Sequence, residues 1–137
     1  MDFEFTEEHL AFKHMAAEFA QSKLAPMAEH WDENSIFPID VLREAAQLGM
    51  AGMIAKEDIG GAQLNRLDAA IIFEQLATGC ISTSAYLSIH NMVTTAIDRY
   101  AGPELRSHWG PKLTAMEVIS SYCLTEPNSG SDAASLK

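Results

Sequence analysis

The sequence predicts an all-α domain of about five helices over residues 1–116, followed at residues 117–137 by the first strand of a truncated β domain. Apolar residues recur at intervals of three and four through the first part, which is typical of amphipathic helices. Prolines, glycines and N-cap residues interrupt these runs where helices would begin or end. Residues 118–124 (VISSYCL) then change to β-branched and aromatic side chains, which favours a strand.

The first predicted helix begins after Thr6, a residue type that caps helix N-termini well. Glu7 and Glu8 follow at the positive end of the helix dipole. Pro26 is expected to kink or end this helix, and residues 31–35 (WDENS) are interpreted as the turn after it. One apolar face is predicted from side chains at helical spacing: Phe12, Met15, Ala16, Phe19 and Ala20.

The next two helices are predicted from their ends. Pro38 is placed to open the second helix, and Gly49 is placed to stop it. Residues 51–61 are polar and rich in glycine, which indicates a loop. Asn65 is the predicted cap of the third helix, and Gly79 its end.

The fourth helix is predicted to be capped by Ser82 or Thr83 and to run to about Tyr100. Pro103 is expected to start a short fifth helix, and residues 110–111 (Gly-Pro) are expected to close it.

The predicted strand is followed by a dense turn sequence, residues 125–132 (TEPNSGSD). A lone strand has unsatisfied backbone donors and acceptors, so we expect the chain to be a fragment of a longer protein. Such a turn either aims backbone N–H groups at a negatively charged ligand or is simply a polar hairpin turn. Hydroxyl groups of Thr125, Ser129 and Ser131 lie close by in sequence.

The net charge of −10 argues against nucleic-acid binding, because a protein that grips phosphates needs an excess of Lys and Arg. It also disfavours binding to an anionic membrane surface. No apolar run approaches the roughly 20 residues that span a bilayer, and no signal sequence is recognisable. A cytoplasmic location, or the mitochondrial matrix after removal of a targeting peptide, is expected.

No metal site is predicted. None of the five histidines has a carboxylate three residues before it, and the two cysteines lack zinc spacing. His90 lies in an apolar run, where it is either a satisfied core residue or a residue near a ligand pocket. Glu74 is expected at a helix edge, reaching solvent, rather than as a buried acid.

Read together, several motifs resemble the acyl-CoA dehydrogenase family. Residues 121–132 (SYCLTEPNSGSD) are similar to the family's flavin-binding signature. The runs LAPMAEHWDENSIFP, LGMAGMIAKEDIGG and FEQLATGCISTSAYLSIHNM resemble its helical domain, in the same order. Within the family, the last of these runs is most similar to the branch that acts on isobutyryl-CoA.

The resemblance implies a helical domain (residues 1–116) before a middle β domain that would begin at residue 117. It implies FAD as cofactor and oxidation of a short branched acyl-CoA, such as isobutyryl-CoA, to its α,β-enoyl-CoA. It also implies a homotetramer that passes electrons to an electron-transfer flavoprotein. The family's catalytic glutamate is expected beyond Lys137, so the chain alone is expected to be inactive.

The resemblance also assigns the binding residues. Tyr122, Cys123, Leu124 and Thr125 would lie along the flavin ring, with backbone groups and the Thr125 hydroxyl as donors. Gly130 and Ser131 would belong to the same loop, and Ser131 would also approach the acyl-CoA. Residues 86–95 would form part of the acyl pocket wall.

Two other functions remain open at this point. One is a non-catalytic helical interaction module without flavin, which would expose an apolar face. The other keeps the fold but changes the chemistry, as in acyl-CoA oxidases or flavin monooxygenases of similar architecture.

Overall fold

The computed structural model describes residues 4–137, which form six α-helices and a C-terminal segment of irregular structure. The helices are α1 (Glu7–Phe19), α2 (Ala28–Glu33), α3 (Ile39–Gln47), α4 (Arg66–Gly79), α5 (Ile81–Tyr100) and α6 (Pro103–Thr114). The predicted all-α class is therefore confirmed, with one helix more than the five expected.

Local capping explains where α1 and α4 begin. The Thr6 side chain accepts a hydrogen bond from the His9 backbone N–H, and Nδ1 of the His9 ring accepts one from the Thr6 backbone N–H. The Asn65 side chain accepts from the backbone N–H groups of Leu67 and Asp68, and the Asp68 carboxylate accepts from Asn65. Both starting points were predicted, because capping depends on residues at most three positions apart.

The helix α1 continues into a π-helical turn, Ala20–Leu24, and ends before Pro26 as predicted. This turn packs against α4, where Gly79 allows a close approach. A Cβ atom on Gly79 would lie 2.6 Å from the Ala20 carbonyl oxygen, which is closer than real contacts allow. Gly79 therefore ends α4 and also makes room for the π-helical turn.

The core lies between α1, α4 and α5, with α3 and the 49–61 loop closing it. Its fully buried large side chains are Leu24, Leu42, Met50, Met53, Ile72, Leu76, Leu87 and Met116. The loop is held to α5 by polar groups, because the Asn91 side chain bonds to the backbones of Met50 and Met53. Asp98 of α5 accepts from Lys56 N–H at 3.2 Å and from Arg106 of α6 at 2.7 Å.

The predicted turn over residues 31–35 is wrong in its first part, since residues 28–33 form α2. This helix has only six residues, too few for a sequence period to show. The Trp31 side chain is only 8% exposed and packs against the core. This burial stabilises the short helix around it.

The predicted caps of the fourth helix are also wrong. Cys80 is the N-cap of α5, and its side chain accepts no capping hydrogen bond from the first N–H groups of the helix. Ser82 and Thr83, the expected caps, lie inside α5, and the Thr83 hydroxyl donates to the Cys80 sulfur. The next hydroxyl, that of Ser84, donates to the Phe73 carbonyl of α4. Gly110 and Pro111 do not close α6, which runs to Thr114. Gly110 instead packs on Ile59, and the Thr114 hydroxyl donates to the Ile59 carbonyl at 2.7 Å.

The predicted strand does not form. Among the described residues, 119–125 have no strand partner, and the only bridge is the antiparallel pair Glu126 and Ser129. A strand is stable only in a ladder that satisfies its backbone groups, and the described residues supply no second strand. Two short 3₁₀ helices complete the regular structure of the described residues, Glu57–Ile59 in the 49–61 loop and Ala133–Ser135 near the end of the chain.

Candidate functional site

The residues expected to bind flavin all lie in the C-terminal segment, which we define as residues 118–137. Tyr122, Cys123, Leu124 and Thr125 are exposed one after another, with Tyr122 43% and Leu124 45% exposed. Gly130 and Ser131 are exposed too, immediately after the turn. The structure therefore presents all six residues to the outside.

The backbone N–H groups of residues 119–125, the first part of this segment, are available for binding. The N–H groups of residues 119–125 donate to no atom of the described residues. Over the same stretch, only the Ser120 carbonyl oxygen accepts a hydrogen bond from the described chain, from the Tyr86 hydroxyl at 3.2 Å. Backbone polar groups require a partner, so these donors are directed to water, another polypeptide segment or a ligand.

The turn that follows is closed by its own hydrogen bonds. Glu126 and Ser129 exchange backbone hydrogen bonds of 2.9 and 3.1 Å. The buried Ser129 hydroxyl donates to the Asp132 carbonyl at 2.6 Å, so it is committed to the turn rather than available to a ligand. Thr125 and Ser131 keep exposed hydroxyls that bond to no other described residue.

Ser120 is attached to α5 at two points. Its carbonyl oxygen accepts from the Tyr86 hydroxyl, and its hydroxyl lies 2.9 Å from Nδ1 of His90. The other ring nitrogen of His90, Nε2, lies 2.9 Å from the carbonyl oxygen of Leu113 at the end of α6. Sequence reasoning left His90 as either a core or a pocket residue, and the structure shows a fully buried ring with both nitrogens bonded.

Burial sets the ionisation of this group of residues. It lowers the pKa of His90 below its ordinary value, although the hydrogen bond to the Leu113 carbonyl opposes the shift. It raises the pKa of the Tyr86 hydroxyl. Both side chains are therefore neutral at pH 7. Tyr86 and His90 stand four residues apart on one helix face, a spacing visible in the sequence, but their shared partner Ser120 is 30 residues beyond His90.

Two cavities flank α5, and residues 86–95 are divided between them. The first, about 270 Å³, lies between the α2–α3 connection and the start of α5, with Trp31, Phe37 and Tyr86 in its wall. The second, about 360 Å³, lies between α4 and the end of α5; its wall includes Phe73, Ser88, Met92, Thr95 and Tyr100. The residues expected to form the acyl pocket wall therefore face two separate cavities.

In the part of the chain that the structure describes, no three His, Cys, Asp or Glu side chains are grouped to hold a metal ion. Glu74 is exposed, as expected for a residue at a helix edge. None of the helices among residues 4–137 combines the length and apolar character needed to cross a membrane.

Comparison with known families decides what kind of domain this is. The family model described as "Acyl-CoA dehydrogenase, N-terminal domain" matches residues 6–117. The chain belongs to this family. The predicted family membership is therefore confirmed, and the matched residues are the helices and the short connection after α6.

Two curated relatives are isobutyryl-CoA dehydrogenases. The mitochondrial protein of Bos taurus is 53% identical over 131 residues, and that of Dictyostelium discoideum is 54% identical over the same length. Each match covers 96% of this chain but only 32% of the relative. The chain therefore spans about one third of the length of the curated relatives it matches.

Solved structures share the fold. Butyryl-CoA dehydrogenase from Megasphaera elsdenii has a TM-score of 0.87 and 26% identity, and the match covers 100% of this chain and 37% of that one. The FAD complex of PigA has a TM-score of 0.91 and 27% identity, covering 97% of this chain and 36% of that one. The helical arrangement described above is thus shared with acyl-CoA dehydrogenases.

Proposed function

We propose that this chain is the N-terminal part of an FAD-dependent dehydrogenase that oxidises a short branched acyl-CoA, such as isobutyryl-CoA, to its α,β-enoyl-CoA. The 53–54% identity with two isobutyryl-CoA dehydrogenases carries this proposal. Because the chain spans one third of those relatives, the activity belongs to the complete protein. A catalytic glutamate outside residues 1–137 is part of the proposal.

The C-terminal segment fits a flavin. The free N–H groups of residues 119–125 suit the oxygen and nitrogen atoms along one edge of the ring. The Thr125 and Ser131 hydroxyls add donors that no described residue uses. A relative of the same fold, PigA, was solved as an FAD complex. Bound FAD would supply the hydride acceptor for the acyl β-carbon.

The chain's own residues would then bind and orient the flavin and the acyl-CoA. Tyr122, Cys123, Leu124 and Thr125 would hold the ring edge, and Gly130 would let the backbone follow it closely. Ser131 would contact both flavin and acyl-CoA. The face of α5 that carries residues 86–95 would form one wall of the acyl site and exclude water from it.

The remaining parts of the proposal concern the complete protein. Residues 1–116 would form the helical domain, and residues 117–137 would enter a middle β domain that supplies the missing strand partners. A homotetramer that passes electrons to an electron-transfer flavoprotein is proposed from the family resemblance. A bacterial cytoplasm or the mitochondrial matrix would suit this role, and both isobutyryl-CoA dehydrogenase relatives are named as mitochondrial.

The direct test is an anaerobic titration of the complete gene product with isobutyryl-CoA, followed by absorbance. We expect flavin bands that bleach with isobutyryl-CoA and bleach less with straight-chain butyryl-CoA. Slow recovery of the bands in air supports a dehydrogenase, whereas rapid recovery with peroxide formation would indicate an oxidase. A protein that contains and binds no FAD would refute the proposal in favour of a non-catalytic module.

A variant pair sharpens the cofactor assignment. Thr125→Ala removes one proposed hydroxyl donor, so the Kd for FAD is expected to rise about fivefold, the effect of one hydrogen bond. Thr125→Ser retains the hydroxyl and should bind FAD as the native protein does. Thr78→Ala is the control, since that exposed hydroxyl donates within α4 to the Gln75 carbonyl. An unchanged Kd in Thr125→Ala would contradict the assignment of this side chain.

A further inference from the structure

Beyond Val118, whose backbone N–H donates to the Lys112 carbonyl at 3.4 Å, Ser120 is the point where the C-terminal segment is attached to the helices. Among the described residues, it makes the only hydrogen bonds between residues 119–137 and residues 4–118. The other hydrogen bonds of residues 119–137 lie within the segment, as between Ser129 and Asp132. The position of Tyr122, two residues after Ser120, therefore depends on this attachment.

The chemistry of His90 fixes the direction of one of the two attachments. The Leu113 carbonyl oxygen can only accept, so Nε2 of His90, 2.9 Å away, carries the proton. In the neutral ring Nδ1 is then an acceptor, and the Ser120 hydroxyl donates to it over 2.9 Å. With the ring fully buried, no water replaces either partner. One imidazole thus joins the end of α6 to the segment.

The second attachment comes from the same helix, one turn earlier. The Tyr86 hydroxyl donates to the Ser120 carbonyl oxygen at 3.2 Å. The Tyr86 ring is held edge-on against Phe37, with ring centres 4.7 Å apart, so its hydroxyl is directed by packing as well as by the hydrogen bond. Ser120 is therefore held by its backbone and by its side chain at once.

We propose that Tyr86 and His90 are positioning residues that clamp Ser120 and thereby hold residues 122–125 in place to receive the flavin. The flavin part of this inference rests on the proposed function, whereas the clamp itself does not. It assigns to α5 a role in cofactor binding without contact between Tyr86 or His90 and the cofactor.

The clamp is testable without FAD. The chain has two cysteines, and Cys80→Ala leaves the exposed Cys123, within the segment, as the site for a nitroxide spin label. In that background, Tyr86→Phe and Ser120→Ala are each expected to sharpen the spectrum of the label, which reports greater mobility, because each variant removes one attachment of Ser120. The phenylalanine ring of Tyr86→Phe can still pack on Phe37. Tyr100→Phe, 84% exposed on the same helix, and the neighbouring Ser121→Ala are controls that should leave the spectrum unchanged.

The flavin part is tested in the complete gene product by the Kd for FAD and by the flavin absorbance spectrum. Tyr86→Phe and Ser120→Ala are each expected to raise the Kd about fivefold, the loss of one hydrogen bond. The melting temperature of the FAD-free protein should stay unchanged in Tyr86→Phe but fall in Ser120→Ala, because the buried Nδ1 of His90 then loses its partner. Ser120→Thr, which keeps the hydroxyl, should restore native affinity.

The outcomes of these experiments distinguish the clamp on Ser120 from its role in flavin binding. Unchanged label mobility in both Tyr86→Phe and Ser120→Ala would overturn the clamp. Increased mobility with unchanged FAD affinity and spectrum would overturn its role in cofactor binding. If the native complete protein binds no FAD, the proposed function fails and the flavin part fails with it, while the label spectra still decide the clamp.

Discussion

The helical body (residues 4–117) and the C-terminal segment (residues 118–137) satisfy their polar groups in opposite ways. In the body, the buried polar side chains of the described residues all have hydrogen-bond partners, and a continuous apolar core lies beneath them. In the segment, Ser129 is the one buried residue, and the N–H groups of residues 119–125 have no partner in the described chain. The two regions belong to one polypeptide but are organised differently.

The difference shows where each region gets its structure. The body buries enough apolar surface to offset the entropy of ordering its chain, so its conformation is determined by its own residues. The segment buries almost nothing and, beyond Val118, is held to the body at Ser120. Its conformation therefore depends on whatever pairs with its backbone, which in the proposed function is flavin on one side and β strands on the other.

The largest expected contrast comes from the same substitution in both regions. Leu76→Ala removes a fully buried side chain from the core and is expected to lower the free energy of unfolding by about 2–5 kcal/mol. Leu124→Ala acts on a side chain that is 45% exposed, and the change should stay within about 0.5 kcal/mol. Urea unfolding followed by circular dichroism measures both. Equal losses at the two sites would show that the segment is packed as tightly as the body.

A smaller effect on stability is expected when one asparagine in each region is replaced by alanine. The Asn91 side chain accepts from the Met53 N–H at 2.8 Å and donates to the Met50 carbonyl at 2.7 Å, and both methionines are buried. Asn91→Ala leaves these backbone groups without partners, at a cost of about 2–4 kcal/mol. Asn128→Ala, in the exposed turn, should leave the melting temperature unchanged. If Asn91→Ala unfolds at the native temperature, the 49–61 loop is not anchored through this side chain.

The sequence predicted well the features that depend on residues close together in the chain. Thr6 and Asn65 act within three residues of themselves, so the starts of α1 and α4 follow from short motifs. The errors arise where distant contacts prevail over local preference. Pro111 stays inside α6 because the end of that helix is held from outside, by Ile59 and His90. The strand expected at residues 118–124 needs a neighbour that the described residues do not supply.

In the candidate site, too, the part formed by contiguous residues was predicted and the part formed by distant residues was not. The resemblance of residues 121–132 to a flavin signature points directly to the exposed segment, because the residues that define it are contiguous. The attachment of Ser120 was not predicted, since it joins residues 30 and 34 positions apart. His90 was recognised as unusual from its apolar surroundings, but its partners became apparent only in the folded chain.

The smallest effect we predict is a pH dependence at the junction of the two regions, where His90 meets Ser120. Burial lowers the pKa of His90 in the folded protein, while in the unfolded chain it returns to about 6.5. The unfolded chain therefore binds the proton more readily. The free energy of unfolding should fall as the pH decreases through 6.5 towards the folded-state pKa, and this contribution should be fully present above pH 7.

Two histidine variants separate this contribution from the rest of the protein. His90→Gln keeps an amide donor for the Leu113 carbonyl but cannot be protonated, so its stability curve should be flatter between about pH 5.5 and 7.5. His14→Gln replaces an exposed histidine and should retain the native slope. A spin label on Cys123 followed over the same range tells whether protonation also loosens the segment. Because the Ser120 hydroxyl can rotate to accept from a protonated Nδ1, the segment should stay attached while the stability of the body falls. A label that becomes mobile in step with that fall would instead show that the proton breaks the attachment itself.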